Sequence, residues 1–255
     1  MTTWDIVTLK CAVCGETSSR LMMMSTHSFG YPDLDLRMKA SGRWSLEDWG
    51  YIRCPHCGYI AHDLEEAVSE NVRNCVYSPA YKKYIQDQDY CGALDNRIKI
   101  CLADDDYDNL LTSYLELAWA YDDDECTEEA KKIRLNALTV IDNFPLSLDE
   151  ETLLRLKADL LRRTGQFDAV FFIDGSKFKN CLEKKIIQYE YQLAFFEDES
   201  RHNISEIVTD NMYKGDIVCQ VKHFIHKLKK RVEHIKRRLG FGRVVFYESE
   251  LRKKK

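Results

Sequence analysis

The sequence predicts a mainly α-helical protein with a small β-structured head, and three observations predict it. Two Cys-x-x-Cys turns, each followed by Gly, occupy residues 11–15 and 54–58, between short segments of alternating polarity. From residue 63 to about 200, apolar side chains recur at three- and four-residue intervals, the period of helices buried on one side. Beyond residue 203 that period continues under a dense basic charge. The expected parts are therefore a head of residues 1–62, a helical body of residues 63–202 and a basic tail of residues 203–255.

Composition sets the outer bounds. With 45% hydrophobic and 31% charged residues, the 255-residue chain has the make-up of an ordinary soluble domain. No run approaches the roughly 18 apolar residues of a membrane span, and the start lacks the pattern of a secretory signal, so a cytoplasmic location is expected. The formal net charge of −5 conceals an asymmetry: residues 214–255 carry 14 Lys and Arg against 4 Asp and Glu, the remainder 23 against 38. The two ends will therefore meet different partners.

In the head, the strand-like segment from Trp4 to Lys10 runs into Cys11 and Cys14. Tyr51 to Arg53 enters the second turn at Cys54 and Cys57, and Tyr59 to Ala61 leaves it. Two residues between the cysteines let the backbone curl until both sulfurs face one ion, and a following Gly relieves the curl by taking positive φ. Cys11, Cys14, Cys54 and Cys57 are thus the expected ligands of one structural Zn2+, in the manner of a zinc ribbon. His56 lies inside the second turn and is expected to be exposed, since four sulfurs complete the shell. The other six cysteines, Cys75, Cys91, Cys101, Cys126, Cys181 and Cys219, read as small buried apolar residues.

Thirty-nine residues separate Cys14 from Cys54, more than the usual spacing of about 15–20. The insert should hold two strands, one around residues 19–25 and one around 34–37, with a turn at residues 31–33. On such a strand Asp33, Asp35 and Arg37 share a face. They form a polar recognition surface or a second metal site or, the plainer reading, a salt-linked exposed face. With His62 they are the candidate polar surface site.

The runs SFGYPDLDLR, from Ser28 to Arg37, and WGYIRCPHCGY, from Trp49 to Tyr59, resemble an uncharacterised bacterial family, a domain of unknown function with a cysteine-rich head and tetratricopeptide-like helices. The resemblance covers about residues 11–196 and implies an order of parts, a zinc head followed by helical repeats, without an activity.

In the body, Asp63 to Glu66 has capping-box spacing, and Leu64, Val68, Val72 and Val76 follow at four-residue intervals, which predicts a first helix from residue 63. Ser78 and Pro79 read as the N-cap and first residue of a second. Leu94, Ile98 and Cys101 mark a third. Tyr114, Leu117, Ala118, Tyr121, Ala130 and Ala137 fall on the offsets of one tetratricopeptide-like unit, with Pro145 slightly late. Leu154, Ala158, Leu161, Gly165, Phe167 and Val170 fit most of a second unit, opened by a capping box from Ser147 to Glu150. Lys157 departs from that pattern, and Gly175 shortens the second helix. Antiparallel helix pairs are expected more firmly than a regular superhelix, followed by a helix over residues 178–198. The acidic clusters 104–106 and 122–125 lack the offsets of a calcium loop and read as solvated turns.

In the tail, Asn203 to Glu206 caps a further helix. Ile217, Val221, Phe224, Leu228, Val232, Ile235 and Leu239 make a narrow apolar seam, which could close the body, pair with a second copy of the chain, or lie on an anionic membrane surface. Closing the body is preferred. Lys229, Lys230, Arg237 and Arg238 are then the candidate contacts for nucleic acid or another anionic partner.

The sequence contains no nucleophile elbow, P-loop, dinucleotide fingerprint or His-Glu-x-x-His, so no catalytic residue is assigned. The best catalytic grouping is His62 and Asp63 with Asp33 or Asp35. The expected function is a structural-zinc helical scaffold for a protein or peptide partner. The alternative is a nucleic-acid-associated factor using the ribbon and the basic helix.

Overall fold

A computed structural model describes residues 3–25, 30–38, 51–82 and 90–209. The chain divides into a compact unit of residues 1–207 and a second of residues 208–255. The predicted apolar seam of the tail, with Lys229, Lys230, Arg237 and Arg238, lies outside the described residues, as does Cys219.

Two antiparallel hairpins build the head. Strands β1 (Thr3–Lys10) and β2 (Thr17–Ser25) pair with Ile6 opposite Leu21 and Lys10 opposite Thr17, so the first cysteine turn is the hairpin's own loop. Strands β3 (Ile52–Arg53) and β4 (Ile60–Ala61) pair around the second cysteine turn in the same way. Residues 19–25 do form a strand, as the alternation requires, but it is the partner of β1 rather than a separate piece of the insert. The predicted strand over 34–37 is absent. Asp33 N donates to Arg37 O at 2.8 Å and Leu36 takes a φ of 73°, so this segment is a tight turn.

Helix α1 spans Glu70–Tyr77, seven residues later than the sequence spacing predicts. Asp63 turns its carboxylate to the Glu65 amide at 2.8 Å and closes a local turn instead of capping a helix. The Ser69 side chain caps α1 by accepting from Val72 N. Helix α2 (Pro79–Lys82) starts at Pro79 as expected, with Ser78 accepting from Tyr81 N.

Next come α3 (Tyr90–Ala103), α4 (Tyr107–Asp123), α5 (Thr127–Asn143) and α6 (Glu150–Arg163). Helix α3 packs on α1, α4 to α6 each pack on the helix before, and α6 also packs on α8 (Cys181–Phe195). The three-residue turn between α4 and α5 makes them a helical hairpin, and Ala118, Ala130 and Ala137 are buried within it. Asp149, rather than Ser147, caps α6 by accepting from Thr152 N.

The second predicted helix pair is incomplete. Helix α7 is only Phe167–Val170, followed by a 3-10 turn at Gly175–Lys177. The Ile173 carbonyl, which a longer helix would use internally, accepts instead from the Tyr191 hydroxyl at 2.6 Å. Helix α9 (Ile204–Thr209) begins with the expected reciprocal cap: Glu206 accepts from Asn203 N, and Asn203 accepts from Ser205 N. Among the described residues no helix is long and apolar enough to cross a membrane.

The head does not carry a core of its own. The cysteines, Val13, Ile52 and Tyr59 share one apolar cluster with Val72 and Val76 of α1, Tyr81 of α2 and Ile100 of α3. A larger cluster runs from α3 to α8 and takes in Tyr51 and Ile60.

Candidate metal centre

The two cysteine turns are built alike, bond for bond. Cys11 N donates to Glu16 O at 2.9 Å, and Cys54 N donates to Tyr59 O at 2.8 Å. Gly15 N returns to Cys11 O at 2.8 Å, and Gly58 N to Cys54 O at 2.9 Å. The two glycines have φ of 78° and 79°, a conformation an L side chain resists, which is why Gly follows the second cysteine each time.

Each turn presents its pair of sulfurs to the other. Cys11 Sγ lies 3.7 Å from Cys57 Sγ, Cys14 Sγ lies 3.7 Å from Cys54 Sγ, and all four sulfurs fall within 4.8 Å of one another. Around a tetrahedral ion about 2.3 Å from each sulfur, neighbouring sulfurs stand ~3.8 Å apart. A disulfide would need about 2.05 Å. The spacing therefore fits a shared metal, and no described cysteine is in a disulfide.

Backbone amides aim at the sulfur that opens each turn. Burial acts to raise the Cys54 thiol, but hydrogen bonds from the Cys57 and His56 amides outweigh it and hold the pKa below the ordinary value. Burial pushes the Cys11 thiol up, with the Cys14 and Val13 amides acting the other way. Burial also pushes up Cys57. A cation at the centre would answer all these thiols at once, since metal ligation takes the thiolate form.

The helices grip both turns from behind. Ala12 N donates to Leu64 O at 2.7 Å, Arg73 of α1 donates to Val13 O at 2.7 Å, and the Tyr81 hydroxyl donates to Gly58 O at 2.9 Å. His56 is exposed, as expected for a residue the shell does not need. Of the other described cysteines, Cys91 and Cys101 are buried as the helical pattern suggests, Cys75 and Cys126 are half-buried, and Cys181 is exposed.

The polar group of the insert lies elsewhere and is not the exposed face its spacing suggests. Asp33 and Asp35 are buried, because the tight turn drives them inward. Asp35 Oδ2 accepts from Trp119 Nε1 at 2.8 Å and from Arg163 at 2.9 Å. Asp33 accepts from Asn203 Nδ2 at 2.9 Å, and Arg37 pairs in two-pronged fashion with Asp123. Asp122 takes Arg134 and Arg163 together, so the cluster at 122–125 is not a merely solvated turn.

Behind this turn, Arg162 binds Glu190 at 2.8 Å, Asp159 at 2.6 Å and the carbonyls of Asp198 and Ser200. Burial, reinforced by Asp159, pushes Asp35 up to about 6 and Glu190 up to about 8, against the pull of Arg163 and Arg162. His62 does not join the group. It is exposed, stacks on Tyr51 with ring centroids 4.2 Å apart, and lines a cavity whose walls include neither Asp33 nor Asp35.

Sequence reasoning missed Trp119, Arg134, Asp159, Arg162, Arg163 and Glu190. A signal was present in α6, where Arg155, Asp159, Arg162 and Arg163 stand at i, i+4, i+7 and i+8 and so share a face. Such a face reads as solvent-exposed until the helices packed on it are known.

Comparison of the chain with family models, curated proteins and solved structures returns no match in any of the three. The likeness of the head to the domain-of-unknown-function family thus rests on its two motifs alone.

Proposed function

We propose that the chain is a helical scaffold clipped by one structural zinc, holding a protein or peptide partner and performing no catalysis of its own. The carrying observation is the group of four sulfurs, drawn from two hairpins onto a core shared with α1, α2 and α3. Four thiolates are a closed shell with no position left for water or substrate, which suits a staple and not a hydrolase. Soft sulfur in tetrahedral array selects zinc over the hard cations.

The partner reading draws support from two features. The α4–α5 hairpin, with its buried alanines, is what a tetratricopeptide-like unit needs, and arrays of such units present binding surfaces. On the β1–β2 hairpin, Trp4, Ile6 and Leu21 lie exposed on one face, a surface suited to an apolar protein partner. The alternative, a nucleic-acid-associated factor, draws on the tail's 14 Lys and Arg against 4 Asp and Glu, and failure to bind generic DNA or RNA at low salt removes it.

The test is metal content of protein purified without added metal, compared with the Cys54→Ser/Cys57→Ser variant. About one zinc per chain is expected. The variant should lose both the metal and the cooperative melt, since structural zinc contributes on the order of 10 kcal/mol. A variant that keeps its melting profile would sink the reading.

A further inference from the structure

A cavity of about 180 Å³ lies where β4, the loop at residues 62–68 and α3 meet, room for roughly six water volumes. Its most telling wall is Arg97, only 8% exposed. The other buried arginines of the described residues, Arg134, Arg155, Arg162 and Arg163, each pair with a carboxylate. Arg97 forms no such pair among the described residues. Its guanidinium sits 5.7 Å from the Tyr51 ring centroid, and its Nε has no hydrogen-bond partner.

A guanidinium keeps its charge at any physiological pH, and a buried charge with no carboxylate in direct contact is costly. A ligand anion is the missing counterpart. The rest of the cavity limits what that ligand can be. Glu66 and Asp104 line it and are both exposed, which disfavours a multiply charged anion such as phosphate and favours a ligand that also carries a positive charge. Asp106 also lines it, but its carboxylate caps α4 through Asn109. Val72 and Ile100 give an apolar wall. We infer that this cavity binds a small α-amino acid with a short apolar side chain, its carboxylate on Arg97 and its ammonium toward Glu66 and Asp104.

This inference stands apart from the scaffold reading, and metal content measured on the same samples keeps a failure of the zinc clip from being taken for a failure of the site. The experiment is calorimetric titration of the full, metal-loaded chain with L-alanine and L-valine, beside acetate, methylammonium and inorganic phosphate. At least one amino acid should bind saturably, about tenfold or more tighter than any of the three half-ligands. Arg97→Met should abolish that binding while melting at or above the native temperature, because it removes an unpaired charge from a buried place. Glu66→Gln/Asp104→Asn, confined to exposed side chains, should weaken the amino acid about tenfold and leave acetate unchanged, and it carries the test if Arg97→Met fails to fold. The inference is overturned if neither amino acid binds at up to about 10 mM, if acetate or phosphate binds as tightly, or if the double variant binds the amino acid as the native chain does.

Discussion

The cysteine turns and the acidic turn at residues 31–37 both fasten the N-terminal part of the chain to its helices, by different physics. In the cysteine turns the shape is local: the bonds that close each turn on itself span no more than five residues, and a positive-φ Gly sits at the same offset in both. The acidic turn is held by partners 84 to 170 residues away, Trp119, Arg163 and Asn203 among them. One region is shaped by its own few residues around four sulfurs spaced to share an ion. The other closes a short turn of its own but is anchored by side chains of α4, α6 and Asn203. A local clip and a long-range plug on the same segment should therefore respond differently to mutation and to pH.

The paired cysteine substitution should give the largest effect, because it removes two of the four sulfurs expected to hold the ion that clips the two hairpins together. Next comes the plug. Asp35→Ala leaves Trp119 Nε1 and one arm of Arg163 facing a buried void, and should cost about 3–5 kcal/mol in denaturant melts. Because the clip is separate, that variant should retain its full metal content. Loss of metal together with stability would show that the two fastenings are one cooperative unit.

A smaller effect sharpens the contrast through pH. Burial raises Glu190 to about 8 in the folded chain. A carboxyl whose folded pKa is raised contributes stability that is fully present below its unfolded value, near 4.3, and lost as pH climbs through the folded value. Relative to Glu190→Gln, the native chain should therefore lose stability progressively between about pH 4.3 and pH 8. Taking the difference in melting temperature at each pH cancels the metal's own dependence on thiolate formation. A flat difference would mean that Glu190 is ionised in the fold. The smallest effect belongs to α1: Ser69→Ala removes the cap on Val72 N and should cost about 1 kcal/mol, leaving the metal in place.

These contrasts also explain what could be read in advance. Cys11, Cys14, Cys54 and Cys57 were legible because ligand spacing and the Gly after each pair are short-range requirements. Helices α3, α4, α5 and α8 were legible because an apolar stripe survives whatever packs against it. The start of α1 was not. Asp63 and Ser69 each head a plausible cap, and the choice is made by Ala12, which takes the Leu64 carbonyl from a distant part of the chain. Asp33 and Asp35 were misplaced for a similar reason. Alternation at 33, 35 and 37 suggests a strand, and only Leu36 at positive φ turns the carboxylates inward. Charges on α6 look solvated until Asp35 and Glu190 arrive from either side.

The account turns on whether four sulfurs from two hairpins hold one ion, and X-ray absorption at the zinc edge on the purified 255-residue chain examines that directly. It should show about one zinc per chain with four sulfur scatterers near 2.3 Å and no nitrogen or oxygen in the shell. A mixed shell, a second distance class, or a metal-free chain that is fully folded would contradict it.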